Sequence, residues 1–251
     1  MRNQFQSQRY EYKYQIENST ALQIRNFLGA YLDLDEYGAS MPNFSYPVHS
    51  LYFDSDRLDL FHSTINGDKN RYKLRVRFYE NRPGAPVFFE IKSRMNNTIS
   101  KSRGGVLREA VPVVVSGSIP SREDFMSQDP SQIFAIEDFI RLAQGIGAKP
   151  QTHVYYLREA WLARHDNSVR VTMDRNVQSC VERSLELSPE MESPVWPFGN
   201  RVILELKFTN KFPNWFLELV RIFNLKQTGA AKYVDGLSSM QGEALEFPYY
   251  V

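Results

Sequence analysis

The residues that could do chemistry in this chain recur at every second position. Arg71–Tyr79 (RYKLRVRFY) sets Lys73, Arg75 and Arg77 on one side, and Tyr72, Leu74, Val76 and Phe78 on the other. Glu90 and Lys92 share a face in VFFEIK, as Lys101 and Arg103 do in ISKSR. Further on, Tyr156 sits with Arg158, Arg170 with Thr172 and Asp174, and Glu205 with Lys207. The triplet Glu-x-Lys recurs at 11–13, 90–92 and 205–207. A period of two is that of a β-strand, so each segment offers cations and a few carboxylates to one face of a sheet. A solvated sheet face accounts for the same alternation, with cross-strand Glu–Lys pairs stabilising it modestly. Two features point further. Ser, Thr, Asn and Gln are nearly absent from these faces, and at least seven strands contribute Arg or Lys. If the sheet closes, the cations meet in one lumen, where their repulsion must be offset by an anionic ligand. A triphosphate or a phosphate chain fits such a lumen, and the few carboxylates would hold a divalent metal bridging phosphate oxygens.

The elements that must position these residues are strands with few helices between them. Arg9–Ile16 alternates Tyr10, Tyr12, Tyr14 and Ile16 against Arg9, Glu11 and Lys13. Ser19 or Thr20 is expected to cap a helix with the stripe Ile24, Phe27, Leu28, Tyr31 and Leu32. Val48–Asp54, Arg71–Tyr79, Val87–Lys92 and Ile99–Arg103 read as strands, with Val111–Val115 as a further candidate. Ser121 with Asp124 resembles a capping box, and Ser131 precedes the periodic set Phe134, Ile136, Phe139, Ile140 and Ala143. His153–Trp161, Ser168–Asp174 and Arg201–Phe208 are strands, and Pro213 opens a helix carrying Phe216, Leu219, Val220 and Phe223. Residues 183–200 read as a loop excursion. These elements predict an α+β fold: an eight-stranded antiparallel β-barrel with flanking helices, in a single domain over 1–251.

Composition excludes several classes. Thirty basic side chains stand against 29 acidic ones, so nothing supports nucleic-acid binding through bulk positive charge. The cations are 20 Arg and 10 Lys, and Arg is the planar fork suited to bidentate grip on phosphate. One cysteine, Cys180, rules out a disulfide framework and a Cys-based zinc site. His49, His62, His153 and His165 lack metal-binding spacing, and His49 and His62 read as surface or core residues. There is no GxxxxGK[ST] or GxGxxG phosphate loop. Gly104-Gly105 reads as a turn or as a backbone approach to phosphate, and Trp196-Pro197-Phe198 as a partner patch or as packing on the barrel. No apolar run reaches membrane-span length and the N-terminus lacks an apolar signal core, so the expected setting is cytoplasmic, with a membrane partner protein left open.

The ordered segments YEYK, SLYFD, KLRVRFYE, FFEIKSR, SKSR, YYLREAW, VRVTMD, VILELKF and AKYV together resemble the VTC domain. That domain is the polyphosphate-polymerase branch of the CYTH/triphosphate tunnel metalloenzyme superfamily. The resemblance implies a tunnel that binds the triphosphate of a nucleotide such as ATP and transfers its terminal phosphoryl group to a growing polyphosphate chain. It implies Lys13, Arg75, Arg77, Lys92, Lys101, Arg158, Arg170, Lys207 and Lys232 as phosphate ligands, with Arg75, Arg77, Arg158, Arg170 and Lys232 carrying the transfer. Tyr156 would add a hydrogen bond to phosphate. Glu205 would hold Mn²⁺ or Mg²⁺, with Glu90 and Glu11 as second-rank ligands. Where the hydrolytic branch opens with ExExK, this chain reads Arg9-Tyr10-Glu11-Tyr12-Lys13; one carboxylate is replaced by a cation, which favours transfer over simple hydrolysis. Ala231 stands before Lys232 where VTC domains often have Ser, removing one hydrogen bond beside the phosphate. The chain is similar to the stand-alone bacterial form of the domain, without SPX or membrane segments. Two alternatives stay open: hydrolysis of tripolyphosphate or a nucleoside triphosphate, and polyphosphate binding without catalysis.

Overall fold

Alternating sequence becomes curved sheet. The computed structural model describes residues 9–96, 98–164 and 168–242. His165 and the N-terminal residues 1–8 lie outside the described residues. Among the described residues, nine strands form one antiparallel sheet: β1 (Arg9–Ile16), β2 (Asp33–Leu34), β3 (Tyr46–Asp54), β4 (Asn70–Phe78), β5 (Pro86–Met95), β6 (Thr98–Leu107), β7 (Lys149–Leu162), β8 (Val169–Val181) and β9 (Val202–Thr209). Eight of them run in the order β1-β9-β8-β7-β3-β4-β5-β6, and the two-residue β2 pairs with β7. The fold is thus the eight-stranded antiparallel barrel with flanking helices. Among the described residues no ladder joins β1 to β6, although their Cα atoms come within 8 Å. An ion pair reaches past the seam from the next strand in: Lys92 of β5 meets Glu11 of β1 at 3.1 Å.

The apolar faces of the strands point outward and are covered by helices. Helix α1 (Asn18–Leu28) buries Ala21, Ile24 and Leu28. With α6 (Asn214–Ile222) it covers Val171, Met173, Leu204, Leu206 and Phe208. It starts earlier than expected: Glu17 is at the N-cap and no side chain caps it. A single residue separates it from β1, so the buried stripe sets its start and Ser19 and Thr20 fall inside the first turn. Helix α5 (Pro130–Gly145) is capped by Asp129, whose side chain accepts from the Ser131 amide, and it packs Ile136 and Phe139 on β5 and β6. Its close approach explains Gly104. A Cβ there would lie 2.3 Å from the Gln132 carbonyl oxygen, so this glycine, inside β6, makes neither a turn nor a phosphate approach.

Three other segments differ from the sequence reading or refine it. Val111–Val115 is a helical turn, α4, not a strand: Pro112 suits a first helical turn, and Val111 and Val114 are buried one turn apart. The Ser121–Asp124 capping box is present on a 3-10 turn at Arg122–Asp124. Residues 183–200 form an irregular excursion that packs rather than hangs free. Leu187 and Phe198 are buried, Val195 bridges to Ser179 of β8, and Trp196 is exposed with its indole donating to Asn176. His49 is buried and hydrogen-bonded to His153 at 3.0 Å. Burial pushes both imidazoles down, to about 3 and about 4, so they form a neutral pair in the outer wall. Two short helices, α2 (Glu36–Ala39) and α3 (Asp59–Ile65), complete the surround, and α7 (Lys232–Met240) packs against β7 and β8 with Tyr233, Val234 and Leu237 among Tyr52, Val154 and Tyr156.

Candidate active site

Because apolar side chains face the helices, the charged ones must face the lumen. They line a cavity of about 1700 Å³. Of the thirteen residues singled out above, all but Glu90 line it. Lys73, Arg103, Asp35 and Tyr52 line it too. Among the described residues, eleven lining lysines and arginines come from seven strands and α7, against four carboxylates, Glu11, Asp35, Glu80 and Glu205. Strand β3 adds no cation and presents Tyr46, Val48 and Tyr52.

One wall is organised around Glu90. The β4–β5–β6 register sets Arg75, Glu90 and Arg103 side by side, with Lys73, Lys92 and Lys101 in the next tunnel-facing row. Glu90 is fully buried behind the lining and contacts Arg75 at 2.5 Å, Lys101 at 2.7 Å, Arg103 at 3.5 Å and Arg77 at 3.8 Å. Burial alone would raise its pKa, but Arg75 and Arg77 hold it well below the usual carboxylate range. Tyr52 accepts from Arg75 at 3.1 Å, and Tyr156 accepts from Arg77 at the same distance. One carboxylate thereby fixes a fan of four cations.

The opposite wall shares its cations between two carboxylates. Arg158 of β7 donates to both oxygens of Asp174 on β8, each at 2.7 Å. Lys232, the first residue of α7, lies 2.7 Å from Asp174 and 3.1 Å from Glu205. Glu205 also meets Lys207 at 2.5 Å, Arg158 at 3.6 Å and Lys13 at 3.9 Å. Lys13 binds Glu11 at 3.2 Å and donates to the Ala230 carbonyl at 2.8 Å, which ties the approach to α7 onto β1. Arg170, nearer the barrel rim, pairs with Asp35 at 3.3 Å. Tyr156 lies beneath Arg158 and Lys232, whose charges sit 5.0 and 4.9 Å from its ring centre.

Crowding of like charge appears in the titration behaviour. Burial and the neighbouring Lys13 and Lys92 push Lys73 down to about 7. Burial also lowers Lys101 to about 7 and Lys207 to about 8, although Glu90 and Glu205 respectively pull them back up. For Lys232, by contrast, Asp174 and Glu205 outweigh burial and raise the pKa. Glu205 and Glu11 are held down by their lysines despite burial.

The sequence reading names neither Asp35 nor Tyr52 as lining residues and leaves two further carboxylates without a role. Asp174 was visible on the face of Arg170 and Thr172 but has the further task of gripping Arg158 and Lys232. Buried Glu159 has the opposite orientation: it binds Arg25 at 2.7 Å and Arg175 at 2.8 Å and anchors α1 to the sheet outside the lumen. Only knowledge of which faces pack together reveals that pair.

Comparison with known proteins agrees with this geometry. The VTC domain profile matches residues 8–241. Vacuolar transporter chaperone complex subunit 4 of Schizosaccharomyces pombe is 23% identical over 230 residues, covering 77% of this chain and 32% of that protein. The chain therefore spans about a third of that relative's length. Among solved structures, a candidate adenylate cyclase of Bacillus halodurans superposes with a TM-score of 0.50 at 12% identity, covering 89% of this chain and 94% of the other. A second candidate adenylate cyclase, from Vibrio parahaemolyticus, gives 0.45 at 10% identity, covering 91% of this chain and 97% of the other. With barrel, lumen and sequence profile in agreement, the chain belongs to the VTC domain family.

Proposed function

We propose that the lumen binds the triphosphate of a nucleoside triphosphate, most naturally ATP, and transfers its terminal phosphoryl group to an acceptor phosphate, lengthening a polyphosphate chain. The observation that carries this reading is the excess of eleven cations over four carboxylates around one cavity. Such a lumen is stabilised by a ligand with a charge on every unit. The VTC family membership supports the same chemistry.

Phosphoryl transfer asks the protein mainly to position groups and to stabilise spread-out charge. Arg75 and Arg77 from one wall, and Arg158 and Arg170 from the other, clamp the phosphate oxygens. Lys232 holds the acceptor phosphate, with Lys13, Lys92, Lys101, Lys207 and Tyr156 securing the rest of the chain. An acceptor phosphate oxygen forms the new bond to the terminal phosphorus while the bond to the β–γ bridging oxygen breaks. The electron pair leaves with the nucleoside diphosphate. No general base is required, because the acceptor oxygen is already ionised.

Among the described residues no cluster of three or more His, Cys, Asp or Glu could cage a metal. Glu205 and Glu11 nonetheless fit one held jointly with substrate: both line the cavity, and Lys13 touches both. Magnesium-like ions are commonly held by one or two carboxylates plus substrate phosphates. When bound there, Mn²⁺ or Mg²⁺ would neutralise phosphate charge. Glu90, enclosed by its own cations, acts as their anchor in this reading.

The yeast relative's name sets it in a vacuolar transporter chaperone complex, which supports a partner protein for this chain as well. No helix among the described residues is long and apolar enough to cross a membrane. The test is product analysis after incubation with ATP and Mn²⁺. Phosphate chains longer than the substrate's are expected, with ADP. Stoichiometric ADP and free phosphate without chains would replace transfer by hydrolysis; binding without turnover would leave a polyphosphate-binding module.

A further inference from the structure

The two ends of the lumen differ in kind. At the end beside α7, Tyr233 stacks on Tyr52 at 4.9 Å and 14°, and its hydroxyl donates to Asp54 at 2.7 Å. That is tight packing. Strand β3 runs from there back to Tyr46, six residues away, which is roughly 20 Å along a strand. At Tyr46 the cavity is rimmed by a run of rings: Tyr37–Tyr46 at 6.3 Å, Tyr46–Tyr79 at 6.3 Å and Tyr79–Phe88 at 6.2 Å. All four rings line the cavity, and Arg103 covers Phe88 at 3.6 Å. The contacts are edge-on or tilted, near the long end of the usual range for ring pairs, so ring faces are not used up on one another. Tyr37 is 69% exposed.

Ring faces, unlike tyrosine hydroxyls, do not solvate phosphate, so the faces offered by this rim suit an uncharged, flat part of the ligand. The rim lies in line with the charged part. Tyr79 follows Arg77 by two positions and Arg75 by four, or roughly 7 and 13 Å along the strand. A ligand whose phosphates lie between Arg75 and Arg158 and which extends toward Tyr79 carries its non-phosphate end onto the rings. We infer that Tyr79 and Tyr46, flanked by Tyr37 and Phe88, form a stacking platform for the nucleobase of the donor nucleotide. This inference rests on the triphosphate reading above. Stacking accepts any base through its π-face, so the platform would favour nucleotides over inorganic tripolyphosphate without strict base choice. The ligand enters base-last, leaving its terminal phosphate toward Lys232 and α7.

The test compares inorganic tripolyphosphate with 1,N6-ethenoadenosine triphosphate, whose base fluoresces, on the wild type, Tyr79→Ala and Tyr46→Ala. The inference predicts that binding quenches the ethenoadenine, and that each substitution weakens the nucleotide roughly tenfold while tripolyphosphate affinity changes less than twofold. Tyr79→Phe should retain nucleotide affinity. Tight binding with no quenching in the wild type overturns the platform even if a variant does not fold. So does an equal loss for both ligands, or no loss for either, in the alanine variants. If neither ligand binds the wild type, the triphosphate reading itself fails and the platform falls with it.

Discussion

The two walls of the lumen handle buried charge in opposite ways. On β4–β6 a single carboxylate, Glu90, lies behind the surface and fans out Arg75, Arg77, Lys101 and Arg103. On β1, β7–β9 and α7, Asp174 stays behind while Glu205 comes forward to line the cavity among Lys13, Lys207, Lys232 and Arg158. The difference separates two jobs that composition cannot distinguish. Both carboxylates are surrounded by cations, but only Glu205 keeps an edge on the cavity, which gives Glu90 the anchoring job and Glu205 the one that meets substrate and metal in the proposed reaction.

The largest effect expected from that contrast is on Glu90→Gln. Breaking a buried ion pair by removing one partner typically costs about 3–5 kcal/mol, because the remaining charges stay buried. For a domain of this size the melting temperature should fall by roughly 10 °C. Saturating tripolyphosphate, which supplies the missing negative charge, should recover more stability in this variant than in the wild type. Equal ligand-induced shifts would contradict the anchoring role.

Glu205→Gln should do the reverse. Turnover with Mn²⁺ should fall about 100-fold, the scale of losing one group that stabilises transition-state charge. Metal-free tripolyphosphate binding should hold or strengthen, since Lys207 and Lys232 are released. A parallel loss of metal-free binding would make Glu205 a second anchor and erase the difference between the walls.

A smaller effect is set by pH. Burial pushes Lys73 and Lys101 down to about 7 and Lys207 down to about 8, so a lumen without ligand is expected to shed positive charge across that range. A bound polyanion favours the protonated lysines, so the complex holds more protons than the free protein and affinity falls as pH rises. Tripolyphosphate affinity should drop at least about tenfold between pH 6.5 and 8.5 by linkage. Lys101→Met should flatten the part of the profile near 7, and Lys207→Met the part near 8. A flat profile in the wild type would show that these lysines are charged throughout.

The smallest effect belongs outside both walls. Arg141, with a side chain 68% exposed and paired with Asp138, should change stability by less than about 0.5 kcal/mol on substitution by Ala. Its polyanion affinity should match that of the wild type.

Period-two alternation makes the barrel and its basic interior legible in the sequence, because a strand has only two faces and the apolar one must be buried. That logic marks Arg75, Arg158 and Glu205 equally well. It is silent on depth: nothing in VFFEIK says that Glu90 lies behind the lining while Glu205, in VILELKF, lies on it. Depth follows from register, which pairs Glu90 with Arg75 and Arg103 at once. Helix starts were less legible where burial overrides local preference. Glu17 precedes α1 without capping it, and the β-branched run at Val111 coils because Pro112 and packing of Val111 and Val114 outweigh strand propensity. The aromatic rim was hidden for another reason. Tyr37 and Tyr46 lie nine residues apart, as do Tyr79 and Phe88, a spacing that follows neither strand nor helix period, and the two pairs are 33 positions apart.

Diffraction from crystals grown with tripolyphosphate tests the central claim most directly. The account predicts a continuous chain of phosphate density inside the barrel, bracketed by Arg75 and Arg77 on one wall and by Arg158 and Arg170 on the other. Phosphate confined to the outer surface, with the lumen cations still paired only to Glu90, Asp174 and Glu205, would contradict it.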